Sequence, residues 1–146
     1  MTVSFFVGLI PPRTTHQSKK IGINRATGHG ALRDSKALVA TKAFLDGAIL
    51  PHRPKAPLEG ALELRITYTW PHPSDTPVAI KRGPTRRKTT KPDCSNFAKT
   101  IEDRLVHWKF MHDDNQVSDL VVRKRWGQRP GIYVVLSEVP PHIEES

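Results

Sequence analysis

The stretch KPDCSNFAKTIEDRLVHWKFMHDDNQV, residues 91–117, gathers carboxylates, an asparagine and a lysine around one short helical pattern. Asp93, Asp113 and Asp114 present hard oxygen donors, the kind Mg²⁺ binds while waters and substrate phosphates complete its octahedron. Lys99, one turn into the helix, can reach a phosphate or its leaving oxygen. The helix start adds unpaired N–H groups and a field that favours anions. Together these groups suit metal-assisted phosphodiester hydrolysis, in which an ion activates water and offsets charge building on the phosphorane. The same residues also admit a plain structural account. Asp93 can cap a helix, Asp103 can pair with Lys99 at i+4, and His112 to Asn115 can form a turn.

Positioning these side chains requires a helix from about Asp93–Ser95 to Val106. On it Phe97, Ile101 and Leu105 form an i, i+4, i+8 row for a core. Asn96, Lys99 and Asp103 form a separate row, offset by more than a quarter turn. A helix over residues 95–106 is about 18 Å long, and residues 107–113, if extended, reach at most about 24 Å. The chain is thus able to fold back and bring Asp113 and Asp114 beside Asp93 at the helix start.

The flanking elements must supply the frame. Residues 4–10, SFFVGLI, read as a strand closed by Pro11 and Pro12, and residues 13–30 as a loop or ragged hairpin. Asp34 or Ser35 can cap a helix over residues 35–49. Its apolar stripe is Ala37, Leu38, Phe44, Leu45, Ala48 and Ile49. GALELRITYTW is the clearest strand: Leu62, Leu64, Ile66, Tyr68 and Trp70 point one way and Glu63, Arg65, Thr67 and Thr69 the other. Residues 71–92 break all periodicity and read as a basic mobile loop. QVSDLVVRKRW reads as a strand from residue 116, GQRPG as a turn, and IYVVLSEV as a last strand forming a hairpin with it. The tail PPHIEES reads as frayed. The order β-α-β-α-β-β predicts one α+β domain over residues 1–146, with two helices on one face of a small, mostly antiparallel or mixed sheet.

Charge narrows the partner class. The formal net charge is +9 and the sequence pI about 10.1, which favours a polyanion. Lys81, Arg82, Arg86, Arg87, Lys88 and Lys91 lie in the irregular stretch, which has no acidic residue after Asp75. Such a segment can order against phosphates. Arg123, Lys124 and Arg125 fall on both faces of their strand and are expected to touch DNA backbone. The single cysteine, Cys94, excludes an intramolecular disulfide and suits a reducing cytoplasm. The apolar run FFVGLI lacks a basic leader and is too short to span a bilayer, so a cytoplasmic location without membrane attachment is expected.

KPDCSNFAKTIEDRL, followed by KFMHDDNQVSDL, a basic strand and PGIYVVL, resembles the RusA family of Holliday-junction resolvases. The family pattern is roughly D-x-D-N-x-x-K-x-x-x-D-x-L, a short loop, then D-D-x-Q-V. The match is close over about residues 90–138 and looser over the rest, through PPRTTHQSKK and the first helix. The resemblance implies a small α+β fold, a homodimer, Mg²⁺ dependence with Mn²⁺ as a possible substitute, and paired nicks in opposed strands of a four-way DNA junction. It also implies a phage or prophage origin in a bacterial cell. Carried over, Asp93 and Asp114 are catalytic metal ligands, Asp113 an outer or partial ligand, and Lys99 the electrostatic stabiliser. Asn96 orients a ligand or phosphate, and Asp103 matches the aspartate inside the helix. Ser95 departs from the pattern, standing where the family usually has a second aspartate. A hydroxyl is a poorer Mg²⁺ ligand than a carboxylate, though it can hold a metal-bound water.

Other candidates carry less. Cys94 and His107 are too far apart along the helix for a thiol–imidazole pair, and His107 with His112 lacks the cysteines of a structural zinc site. GHG at 28–30 lacks the strand-to-helix context of a phosphate loop. Trp108 and Phe110 can stack on unpaired bases, but core or dimer packing accounts for them better. The rival from another class is a non-catalytic, basic DNA-binding or architectural protein, or a degenerate homologue. A nuclease specific for RNA or single strands is a third reading.

Overall fold

The computed structural model describes residues 1–11, 19–23, 30–34 and 36–144, with the backbone alone at 19–23 and 30–34 and at positions 37, 38, 94 and 96. Leu62, Leu64, Ile66, Tyr68 and Trp70 are all buried, while the residues between them are half-buried or exposed. The alternation read from the sequence therefore sets which face of the sheet is covered. Strands are β1 (Thr2–Val7), β2 (Lys19–Ile23), β3 (Gly30–Asp34), β4 (Leu62–Trp70), β5 (Arg86–Arg87), β6 (Val117–Trp126) and β7 (Gly131–Glu138). Helices are α1 (Lys36–Ile49), the single turn α2 (Val78–Lys81) and α3 (Cys94–His107). The α+β class, the mixed sheet and both long helices agree with expectation.

A five-stranded sheet runs β1-β7-β4-β6-β5, and β2 with β3 forms a separate two-stranded antiparallel sheet. Within the large sheet only β4 and β6 are parallel. The predicted hairpin between the last two strands is corrected here, because β4 lies between them. The Gly127 N–H donates to the Trp70 carbonyl at 2.9 Å, pinning the turn across the end of β4. Residues 127–130 then span two strand spacings, about 9.6 Å, which four residues easily cover. Gly131 enters β7 flat against Phe6 of β1; a Cβ there would run into the Phe6 ring and the Val7 carbonyl. Turn chemistry predicted a local reversal correctly, but the strongest apolar strand took the central position.

One core unites the sheet with both long helices. Phe5 and Val7 of β1 and Ile132, Val134 and Leu136 of β7 meet Leu45 and Ile49 of α1 and Phe97, Ala98, Ile101 and Leu105 of α3. All of these strand residues share the inward face of β4, so both helices cover the same side. The expected α1 stripe is narrower than read. Leu45 and Ile49 are buried, but Phe44 is 58% exposed, since adjacent residues point about 100° apart on a helix. The side chains of Ala37 and Leu38, and Ser35 as a cap, lie outside the described residues, as does GHG at positions 28 and 29. Within residues 71–92, where periodicity fails, the chain forms α2 and then β5, which pairs with β6 at Arg86↔Trp126 and Arg87↔Arg125. Among the described residues no helix is long and apolar enough to cross a membrane.

Candidate active site

α3 is defined at both ends by its own sequence. Asp93, in extended backbone, caps it: the Ser95 N–H and the Ser95 hydroxyl donate to Asp93 Oδ1 at 3.1 and 3.0 Å. These bonds, the backbone one first, hold the Asp93 carboxyl below its ordinary pKa, and the Lys124 ammonium adds to the effect. The row Phe97, Ile101 and Leu105 is buried as predicted, and Phe97 packs 5.0 Å from the Tyr68 ring. At the other end Lys109 takes a left-handed conformation, φ 61°. The Lys109 N–H then reaches the Val106 carbonyl and the Phe110 N–H the Leu105 carbonyl, closing a Schellman motif with Phe110 buried against the core. Trp108 packs on the same cluster. Arg104 is bound to Asp46 of α1 at 2.8 Å, fixing the helix against its neighbour.

The chain leaving α3 is anchored before it reaches the helix start. The Leu58 N–H donates to the Phe110 carbonyl at 2.8 Å, and Leu58 bridges Met111. Gln116 then stitches the next turn: its Oε1 accepts from the N–H groups of His112 and Asp113, and its Nε2 donates to the carbonyls of Leu58 and Gly60. Asp113 caps that 3₁₀ turn, Asp114–Gln116, in a reciprocal capping box with Gln116. The fold-back therefore brings Asp114 against α3 at Lys99.

There Lys99 and the acidic residues converge. Lys99 Nζ lies 2.8 Å from Asp114 Oδ2 and 3.8 Å from Asp103 Oδ1. The hydrogen bond from Lys99 is the main reason the Asp114 carboxyl sits below its ordinary pKa, and the same bond raises Lys99. Glu102, not singled out from the sequence, joins them: burial raises its carboxyl, and the negative charges of Asp114 and Asp103 raise it further. Its signal was present as the i+3 neighbour of Lys99. Asp103, His107, Asp113 and Asp114 line an open groove of about 410 Å³. Asp93 stands outside that set, bound to Ser95 and facing Lys124. The Asn96 side chain lies outside the described residues.

Comparison with known proteins decides what this arrangement belongs to: residues 9–137 match the family model described as endodeoxyribonuclease RusA. The chain belongs to the RusA family. It is 28% identical over 133 residues to "Uncharacterized protein YqaN" of Bacillus subtilis (strain 168), covering 88% of this chain and 87% of the relative. It is 24% identical over 126 residues to "Crossover junction endodeoxyribonuclease rusA" of Lactococcus phage r1t, covering 86% and 90%. As a RusA-family member this chain is an endodeoxyribonuclease.

The RusA resemblance implies a divalent cation, and the donors present fit one. All are carboxylate oxygens, hard ligands suited to Mg²⁺ or Mn²⁺. Asp114 already contacts one cation, the Lys99 ammonium, and four carboxylates (Glu102, Asp103, Asp113 and Asp114) crowd the same side of α3. Among the described residues no three His, Cys, Asp or Glu side chains converge as a ready cage. Mg²⁺ needs none, because one or two carboxylates with waters and substrate phosphates complete its shell.

The basic residues divide into two groups. Arg82, Arg87, Lys91 and Arg123 are exposed, and Arg123 and Arg125 share with Thr67 and Thr69 the face of the sheet opposite α1 and α3. Lys81 donates to the Ser74 carbonyl at 3.1 Å and Arg86 to His72 Nδ1 at 3.1 Å. Lys88 is buried, its ammonium over the Trp126 ring at 3.8 Å and bound to Thr90 Oγ1. Lys124, on the helix side, donates to the carbonyls of Thr90 and Pro92 at 2.6 and 2.9 Å. These last two ammoniums brace the segment leading into Asp93.

Proposed function

We propose that this protein resolves four-way DNA junctions by Mg²⁺-dependent phosphodiester hydrolysis, nicking opposed strands symmetrically as a two-fold dimer in the bacterial cytoplasm. The observation that supports it best is the Lys99–Asp114 contact beside Glu102 and Asp103, in a RusA-family chain carrying a net charge of +9. Asp114 and Asp93 hold the ion, with Asp113 as an outer ligand. Mn²⁺ is expected to substitute. When bound, the ion supplies Lewis acidity toward water and the phosphoryl oxygens. Lys99, 44% exposed at its side chain, is free to swing its ammonium from Asp114 toward a phosphate or leaving oxygen. Asn96 orients a ligand or phosphate at the first turn of α3. Arg82, Arg87, Lys91, Arg123 and Arg125 contact the DNA backbone without reading sequence.

Symmetric cutting needs two sites, which a C₂ dimer provides at one junction. The testing experiment incubates the protein with end-labelled four-way junctions and linear duplexes, with Mg²⁺, with Mn²⁺ and with chelator. Metal-dependent cleavage confined to the junction is expected, and Asp114→Asn is expected to bind the junction without cutting it. Junction binding indifferent to metal, with no cleavage by the parent protein, would assign it instead to architectural binding.

A further inference from the structure

A second depression, of about 470 Å³, opens at the carboxyl ends of the parallel strands β4 and β6. Its volume falls within the roughly 300–1,000 Å³ typical of small-molecule sites, and the crevice beyond the carboxyl ends of parallel strands is a recurrent ligand position. Trp70 and Trp126, the last register pair of the two strands, line it together with His72, Lys88, Lys91 and Pro92.

The walls are rigid and flat. Trp70 is held by its Nε1–H, which donates to the Pro11 carbonyl at 3.1 Å, so its ring offers surface and not a hydrogen bond. The Lys88 ammonium lies 3.8 Å from the Trp126 ring centroid and 5.3 Å from that of Trp70, polarising both indoles. The polar groups at the pocket are donors. Arg86 donates to His72 Nδ1, which leaves Nε2 as the N–H of a neutral ring. Burial, followed by Arg86 and Lys81, lowers the His72 pKa and keeps the ring neutral. That Nε2 has no hydrogen-bond partner and is closed off from solvent, so it adds no donor to the pocket. Flat aromatic walls flanked by the Lys88 and Lys91 cations match a planar ring with acceptor atoms on its edge. That is the chemistry of a nucleobase.

Placement ties the pocket to the reaction. Pro92 lines it, Asp93 is the next residue, and Lys124 holds the Pro92 carbonyl while acting on the Asp93 carboxylate. We propose that this pocket receives one unstacked base of the DNA, from the nucleotide adjoining the phosphate cut beside Asp93. The assignment rests on the reading that DNA is cleaved beside that residue.

The test titrates tryptophan fluorescence, without metal, using a short single strand and an abasic strand of equal length and charge. The base-bearing strand is expected to quench and to bind about 5- to 150-fold tighter, the range expected for one base stacked on an aromatic ring. Trp126→Ala should abolish that preference, whereas Trp126→Phe, which keeps a ring under Lys88, should retain it. Equal affinity of the two strands for the parent protein overturns the proposal, whether or not the alanine variant folds. So does a preference unchanged in a folded Trp126→Ala protein. Neither readout involves cleavage, so failure to cut junctions would count against the proposed function and leave this result standing by itself.

Discussion

Asp93 holds two roles that substitution can separate. As an N-cap it binds the Ser95 N–H, and as a carboxylate it is proposed to hold the metal. Asparagine caps about as well as aspartate, whereas alanine at such a position costs about 0.5–2 kcal/mol. Asp93→Asn should therefore leave the thermal unfolding midpoint nearly unchanged while cleavage is lost, and Asp93→Ala should lose both. Equal activity in Asp93→Asn and the parent would make the residue a cap alone. Ser95 poses the complementary case. Its hydroxyl is already bound to Asp93, so it supports the carboxylate without adding a charge. Ser95→Asp is expected to lower the Mg²⁺ concentration for half-maximal cleavage at least about tenfold, measured by metal titration; an unchanged midpoint would show the carboxylate is not missed. The departure at Ser95 was readable from residue types, but its bond to Asp93 was not. Lys88 and Lys124 teach the same lesson, because lysines are exposed by default and only the packed Trp126 ring and the Thr90 and Pro92 carbonyls reveal their engagement.

At the scale of elements, helix ends and sheet ends carry the testable energetics. Lys109 holds a left-handed backbone that costs a side-chain-bearing residue roughly 1–2 kcal/mol, part of which glycine returns in unfolded-state entropy. Lys109→Gly should stabilise the fold by about 1 kcal/mol in denaturant unfolding; destabilisation would mean the lysine side chain matters more than the backbone. Glu138 ties the end of β7 to the Met1 ammonium at 3.1 Å and to the Glu59 N–H at 3.1 Å. The Glu59 N–H bond leads in lowering its pKa from 4.5. A depressed carboxyl stabilises fully above its unfolded pKa and loses that contribution as pH falls through the folded one. Unfolding across pH should thus find Glu138→Gln less stable at neutral pH, with the gap closing below about pH 4.5; a gap constant with pH would contradict the linkage. The β4 alternation and the α3 core row were legible because burial follows period. The β6–β7 neighbourhood was not, because a turn motif specifies a reversal and not which strand fills the space beside it.

For the whole molecule, the recognisable aspartate and lysine positions come from α3 and from the 3₁₀ turn that follows it. Asp93 caps α3, and Lys99 of α3 reaches Asp114 of the turn. Spacing alone showed that the chain could return, while the stopping point depends on Gln116 and Leu58, whose partners lie 52 to 58 positions away in sequence. The Asp113-to-Gln116 spacing carried a readable capping-box signal, but its anchoring to Leu58 and Gly60 emerges only when the chain is folded. Net charge and membership of an endodeoxyribonuclease family point to DNA as the partner, and the proposed balanced cutting of a junction calls for two sites. The most direct measurement uses a supercoiled plasmid that extrudes a cruciform, incubated with the protein and Mg²⁺. Paired nicks within one encounter predict linear plasmid as the first product, absent with chelator. Nicked circles alone, or cutting indifferent to the cruciform, would contradict junction resolution.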